Sequence, residues 1–308
     1  MASLVFVGSV NADTIAVVPH LPSPDERLLA DAVVHAGGGN SATAAVAAAR
    51  LGGDVAFVGP VAADEQGARI REDLAREGVD VSGLVEVPAG QGGASVVLVD
   101  QSTGTRSICT RPLPPFKIPD TSPALDLMSA ARWVHADHLG WAAVREWLTT
   151  FRRAGSDGDR MPRVSVDAGN PIPGFSPSGV DLYAPTVASL RRSYGELPVG
   201  DLLDRALADG AHCVVATDGG QGSYAARRPG EHVHVPAFDV EVVSTLGAGD
   251  VFHGALLVAV DRGLDLPEAL RYANAVAALS CRAIDGRSGI PTHAEVTEFL
   301  AQQGAAAR

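Results

Sequence analysis

The feature that most constrains this chain is an alternation of short apolar runs with helical segments. Leu4–Val7 is closed by Gly8 and reads as a buried strand, and the Ala-rich stretch Ser41–Leu51 reads as a helix stopped at Gly52-Gly53. Val55–Val58 is the next strand. Glu65–Glu77, with Ala68, Ile70 and Leu74 near helical spacing, is the next helix and ends at Gly78. The rhythm resumes with strands Trp133–Ala136, Val164–Asp167 and Cys213–Thr217 and helices Trp141–Arg153 and Val187–Tyr194. It closes in helices Ala248–Arg262, Pro267–Ile284 and His293–Gln302. Strands that are apolar throughout and separated by helices pair in parallel and are covered on both faces. The expected fold is therefore α/β, a wound sheet between two helical layers.

Two stretches break this rhythm. Ala94–Asp100 and Arg106–Thr110 flank the turn-like Ser102-Thr103-Gly104-Thr105 and read as a hairpin, and residues 14–35 contain prolines among apolar patches. A small β lid is expected over 14–35 and 87–110, with 1–13, 36–86 and 111–308 forming the main domain. A second hairpin is expected at Tyr224–Ala226 and His232–Val235, and a polar loop over 155–162.

Composition removes several classes of function. The net charge of −12 and an aromatic share of 5% disfavour a nucleic-acid or anionic-membrane surface. Lys117 is the only lysine and lies among Pro114, Pro115 and Pro119, which excludes a Gly-Lys-Ser/Thr phosphate loop and disfavours a Schiff-base lysine. Cys109, Cys213 and Cys281 have no C-x-x-C spacing, so a reduced, cytoplasmic setting is expected. Neither a signal peptide nor a membrane span is expected.

Four Gly-rich or polar turns carry the chemistry. In Leu246-Gly247-Ala248-Gly249-Asp250, two glycines precede a helix whose unpaired N–H groups and positive dipole end favour an anion. Asp250 beside that anion is placed to accept a proton from an attacking hydroxyl, although the residues equally allow a plain acidic helix start. Gly37-Gly38-Gly39-Asn40 opens a helix, but too far from the first strand for a dinucleotide fingerprint, and reads as a polar, backbone-lined pocket. Asn11 and Asp13 face one way on extended backbone and suit vicinal hydroxyls, though an Asx turn is the simpler reading. Thr217-Asp218-Gly219-Gly220-Gln221-Gly222 reads as a connection or a nucleotide turn. His135, Asp137 and His138 suggest a metal site only weakly, since the two histidines point to opposite faces of a strand.

Taken in order, these motifs resemble the ribokinase-like, phosphofructokinase B type carbohydrate kinase family. The resemblance rests on Gly8–Asp13, on Gly38-Gly39-Asn40 leading through Val46–Gly52 to Val58-Gly59, on Val235–Phe238 leading to Val242–Asp250, and on Ala273–Ser280 followed by Ile290-Pro291-Thr292. It implies a three-layer wound sheet with a β lid, and an ATP- and Mg²⁺-dependent kinase acting on a sugar-like small molecule. Asp250 would be the base, with the amides of Gly247, Ala248 and Gly249 as the anion hole. Asn11, Asp13, Gly38, Gly39, Asn40 and Arg106 would bind the acceptor, and Thr217, Gly219, Gly222 and Asn274 the nucleotide. A nucleoside kinase or a non-catalytic binding relative fits the same motifs, and a homodimer through the lid is an expectation of the same kind. The chain departs from the family pattern at Thr43, at Thr186 and Ser189 (Asn and Glu in relatives, near Mg²⁺), and at Ser244, where relatives carry an Asp beside a monovalent cation. Metal ligands and K⁺ dependence are left open by these departures.

Overall fold

The computed structural model describes residues 2–103, 105–153 and 161–306. Gly104 of the expected hairpin turn, and most of the loop expected over 155–162, lie outside them. In chain order the strands are β1 (Leu4–Val7), β2 (Asn11–Val18), β3 (Ala32–Gly38), β4 (Val55–Val58), β5 (Pro60–Ala62), β6 (Val85–Val87), β7 (Gly93–Asp100) and β8 (Arg106–Arg111). They continue with β9 (Trp133–Ala136), β10 (Arg163–Asp167), β11 (Leu182–Ala184), β12 (Val214–Thr217), β13 (Ser223–Ala226) and β14 (His232–Val235). The helices are α1 (Asn40–Arg50), α2 (Glu65–Arg76), α3 (Pro123–Ala130), α4 (Trp141–Arg153), α5 (Val187–Tyr194), α6 (Val199–Ala208), α7 (Ala248–Asp261), α8 (Leu266–Ser280) and α9 (His293–Ala306).

The main sheet has eight strands in the order β14-β13-β12-β11-β10-β9-β1-β4, parallel from β12 to β4, with an antiparallel hairpin at one edge. Alternate residues of each strand feed two cores. Leu4, Phe6, Val55 and Phe57 pack with α1, α7 and α8, while Val5, Val7, Val134 and Val166 pack with α3–α6. Residues apolar on both strand faces therefore produce the three-layer architecture.

A second sheet, β3-β2-β7-β8, stands over the carboxyl edge of the first. Its inner face buries Ile15, Val17, Val97 and Val99 against Leu246 and Ile284. Its strands run past the expected limits of the lid. Asn11 pairs with Gly38 and Gly93, so Asn11, Asp13, Gly37 and Gly38 belong to this sheet. Asn11 and Asp13 are thus strand residues, and the Asx-turn reading does not hold. Helix α8 stops at Ser280, four residues before the expected Ile284, because Cys281 caps it by turning back onto Ala278 and Leu279.

Candidate active site

A buried carboxylate assembles the substrate end of the main sheet. Asp137, just after β9, accepts hydrogen bonds from Ser9 N (2.8 Å), Ser9 Oγ (2.6 Å), Ser41 N (3.2 Å), and Leu139 N and Gly140 N (2.9 Å each). It ties the end of β1, the start of α1 and the approach to α4 together. Ser9 Oγ in turn accepts from Asn40 N at 2.9 Å. The weak metal reading of His135, Asp137 and His138 gives way to this positioning role. Gly39 has φ 92°, and a Cβ there would lie 2.5 Å from Ser9 O, so only glycine lets α1 start this close to β1.

Asn11 and Asp13 project together from β2. Asn11 Nδ2 donates to Ser95 Oγ at 3.3 Å, whereas Asn11 Oδ1 and Asp13 Oδ1 are buried without a hydrogen-bond partner. Burial raises the pKa of Asp13, partly offset by the Ser95 hydroxyl and the charge of Arg287. Arg287, itself buried, donates to Gly38 O (2.8 Å) and Thr43 Oγ1 (3.3 Å) and so braces the glycine turn from behind. Desolvation pulls its pKa down to about 10. Thr43, a departure from the family pattern, therefore has a partner of its own in this chain.

Across the cavity, Gly247 adopts a left-handed conformation (φ 73°) immediately before α7, and a Cβ on it would lie 2.9 Å from Gly286 Cα. Gly249 is not left-handed, and a Cβ there would meet open space. Gly247 thus makes the turn, and Gly249 keeps the helix start bare. Ala248 N makes a long bond to Thr245 O (3.3 Å). Asp250 Oδ1 accepts from Asn40 Nδ2 at 2.8 Å, which links α1 to α7. Burial, and then the charge of Asp167, push Asp250 up to about 7, against the pull of His253 and Asn40.

Beneath Asp250, one helical turn along α7, His253 is buried with Nδ1 3.3 Å from Asp167 Oδ2, an ion pair not aligned as a hydrogen bond. Burial alone would raise the Asp167 carboxyl, but His253 and Gly169 N hold it down, at about 2. Burial opposes charge on His253, yet Asp167 and Asp250 outweigh it and raise its pKa. His135, whose ring lies 5.8 Å from that of His253, is driven to about 4 by burial and by its neighbour's charge. No local sequence signal announces this cluster, since its members come from β9, β10 and α7.

A cavity of about 450 Å³ brings Asn11, Asp13, Gly38, Gly39, Asn40, Arg106, Gly247, Gly249 and Asp250 to one space, together with Thr43 and with Ser95 and Asn170, which the sequence reading did not single out. This volume and polar lining suit a small ligand. Arg106, on β8, donates to Thr245 Oγ1 at 2.8 Å and connects the second sheet to the glycine turn.

The expected nucleotide residues lie elsewhere along the same edge, and none of the four lines that cavity. Thr217 ends β12 and bridges to Thr186, and Gly219–Gln221 form a single 3₁₀ turn closed by Gly222. Asn274 is buried, with Oδ1 accepting from Ser223 Oγ (3.0 Å) and Nδ2 donating to Val235 O (2.9 Å) and Pro236 O (3.2 Å). Its amide is used up in tying α8 to β13 and β14.

At Thr186 and Ser189, two of the departures from the family pattern, Thr186 Oγ1 caps Ser189 N at 3.0 Å, and Ser189 Oγ donates to Gly169 O at 2.9 Å. Arg192 Nη2 donates to the same hydroxyl at 2.7 Å. Among the described residues, no cluster of three or more His, Cys, Asp or Glu side chains could hold a metal ion. These residues do not fit an ion held by the protein itself. Ser244 Oγ accepts from Leu246 N at 3.2 Å, bracing the loop that leads into Gly247. Among the described residues no helix is long and apolar enough to cross a membrane.

The chain is similar to known sugar kinases along its length. A ribokinase of Haemophilus influenzae is 27% identical, over 97% of this chain and 98% of its own length. An ATP-dependent ribose-1-phosphate kinase of Halopiger xanaduensis is 30% identical, over 98% of this chain and 99% of its own. The structure of Arabidopsis thaliana ribokinase complexed with ribose and ATP superposes with a TM-score of 0.81 at 26% identity, covering 97% of this chain and 98% of the other. The model of the pfkB family carbohydrate kinases matches residues 1–293, and the chain belongs to that family.

Proposed function

We propose that the protein transfers the γ-phosphate of ATP to a hydroxyl of a sugar or sugar derivative, with Asp250 as the proton acceptor. One observation carries this reading. Asp250 is held by Asn40 at the bare start of α7, has its pKa pushed up to about 7, and opens onto the same cavity as Asn11 and Asp13. A carboxyl with that proton affinity is well matched to a base working near neutral pH. The acceptor's hydroxyls would satisfy Asn11 Oδ1 and Asp13 Oδ1, whose lack of partners is otherwise costly. The names of the relatives, which refer to ribose and ribose-1-phosphate, support an acceptor of pentose size.

As the hydroxyl oxygen attacks the γ-phosphorus, its proton passes to Asp250. The new O–P bond forms while the bond to the bridging β–γ oxygen breaks, and ADP leaves. Charge developing on the phosphoryl oxygens meets the N–H groups at the start of α7, with Gly247, Ala248 and Gly249 as the anion hole. Mg²⁺ would arrive as part of the nucleotide substrate, on its phosphate oxygens and waters, and would offset their charge. Thr217, Gly219 and Gly222 would line the nucleotide's path through their backbone, with Asn274 fixing the strands beneath. The second sheet, linked through Arg106, would act as the lid that excludes water, an alternative phosphoryl acceptor.

The outer face of that sheet exposes Val33 (60%) and Val96 (51%), and a second copy of this chain covering it is the favoured partner. Sedimentation of the wild type and of Val96→Glu reads that association.

The function is tested by ADP release over a panel of pentoses, ketoses, sugar phosphates and nucleosides. A sugar-dependent signal is expected, and a panel with no sugar-dependent signal would contradict it.

A further inference from the structure

Beside the cavity that ends at Asp250 lies another, of about 520 Å³, sharing Asn11, Asn40, Thr110 and Asn170 with it. Its remaining walls come from Ser9 after β1, from the end of β8, where Arg111 stands, from the segment after β9, where His138 stands, and from the segment after β10. The two cavities differ in charge. The first carries the carboxyls of Asp13 and Asp250 beside the single guanidinium of Arg106. The second has no carboxyl in its lining, and its ionisable groups are Arg111 and His138.

Both groups are fixed in place. The Asp137 carboxylate accepts from Leu139 N and Gly140 N, which holds the turn carrying His138. Arg111 Nε donates to Gly92 O at 2.8 Å. His138 Nδ1 is buried and has no hydrogen-bond partner, in contrast to the saturated Asn274 amide on the nucleotide side. A buried polar atom without a partner beside an open space is suited to meet a ligand atom. A ring nitrogen and a guanidinium, with amides and hydroxyls and no carboxyl in the lining, suit negative charge, and the Asp137 carboxylate behind the wall is taken up by Ser9, Leu139 and Gly140.

We propose that this second cavity is a subsite for the end of the acceptor remote from the reacting hydroxyl, and that it takes an anionic substituent there, so that the acceptor is a sugar phosphate or a sugar acid. The inference rests on the sugar-kinase reading and deepens it. His138 is the residue that would contact the anion, and Arg111 supplies the field.

The test measures kcat/KM by ADP release for matched pairs: ribose and ribose-1-phosphate, fructose and fructose-1-phosphate, glucose and gluconate. At least one anionic member should exceed its neutral partner by about tenfold or more, and which pair responds separates phosphate from carboxylate. His138→Ala should lower that anionic-over-neutral ratio about tenfold, with His138→Asn intermediate. Neutral sugars turned over as well as or better than their anionic partners would overturn the proposal. So would a nucleoside as the best acceptor, or a ratio unmoved in His138→Ala. If nothing is phosphorylated, the kinase reading fails, and thermal shift with the same compounds still decides the subsite. A rise in Tm with an anionic sugar, lost in His138→Ala, supports it, and no selective rise sinks it.

Discussion

The two ends of the sheet's carboxyl edge are built on opposite plans. On the side proposed for the acceptor, side chains keep unused hydrogen-bonding capacity: Asn11 Oδ1, Asp13 Oδ1 and His138 Nδ1 are all buried without partners. On the side proposed for the nucleotide, several polar side chains are spent internally. Asn274 makes three hydrogen bonds, and Thr186, Ser189 and Arg192 bond to one another. Around Gly219–Gly222 the chain offers a ligand mainly the backbone of a glycine-rich turn. The difference teaches that acceptor choice should respond to side-chain changes, whereas phosphate handling should respond to changes in glycine. Asp250 sits where the two plans meet.

The largest expected effect is at that junction. Asp250→Asn keeps an oxygen for Asn40 but removes the proposed base, and kcat should fall by about 10²–10⁴-fold with binding changed only a few-fold. Stability should move the other way. The carboxyl's pKa rises from 3.8 to about 7 on folding, so the folded state disfavours its charge. That cost is absent below the unfolded value and complete above about 7, so Asp250→Asn should raise Tm at pH 8 and not at pH 3.5. Near-wild-type kcat would remove Asp250 from the mechanism.

Next comes the backbone plan. Gly249→Val places a side chain in open space without a left-handed penalty, so the protein should fold and lose about 10²-fold in ATP turnover by blocking the phosphate's approach. Normal ATP kinetics in the folded variant would break the comparison from the nucleotide side. The acceptor side is tested by Asp13→Ala. Loss of charge-assisted hydrogen bonds, about 1.5–3 kcal/mol each, should raise the sugar KM by roughly tenfold or more and leave nucleotide affinity unchanged. Equal weakening of both ligands would assign Asp13 to folding instead.

The smallest effect concerns K⁺. Ser244 offers a neutral hydroxyl where the family resemblance leads one to expect a carboxylate, and that hydroxyl already braces Leu246 N. Activity should change by less than about twofold between K⁺-free buffer and physiological KCl, because hard cations favour anionic oxygen ligands. Strong activation would show that carbonyl oxygens alone hold the ion.

Much of this was legible in the sequence because it is local. Apolar runs such as Val55–Val58 and the hairpin at Ser223–Val235 follow from residue pattern, and Asp250 follows from a glycine turn opening a helix. Helix α3, capped by Ser122 and with Pro123 in its first turn, was not anticipated, because at eight residues it is too short to show a periodic pattern. Strand β11, only Leu182–Ala184, and α6, which follows Pro198 without a side-chain cap, carry little signal of their own. What the sequence could not convey is pairing at a distance. Asp137 reaches Ser9 across 128 positions, and Arg287 reaches Thr43 across 244. Nothing near His253 indicates that Asp167 lies beside it. The glycine requirement was also distributed differently from its appearance, since of the Gly247 and Gly249 pair only Gly247 is left-handed.

The central claim, that Asp250 is the base and titrates near neutrality, is tested most directly by the pH dependence of kcat/KM for the best acceptor. The account predicts a plateau above about pH 7 and a fall of about tenfold per unit below it, as Asp250 takes up its proton in the free enzyme. A profile that stays flat down to pH 5 would contradict it.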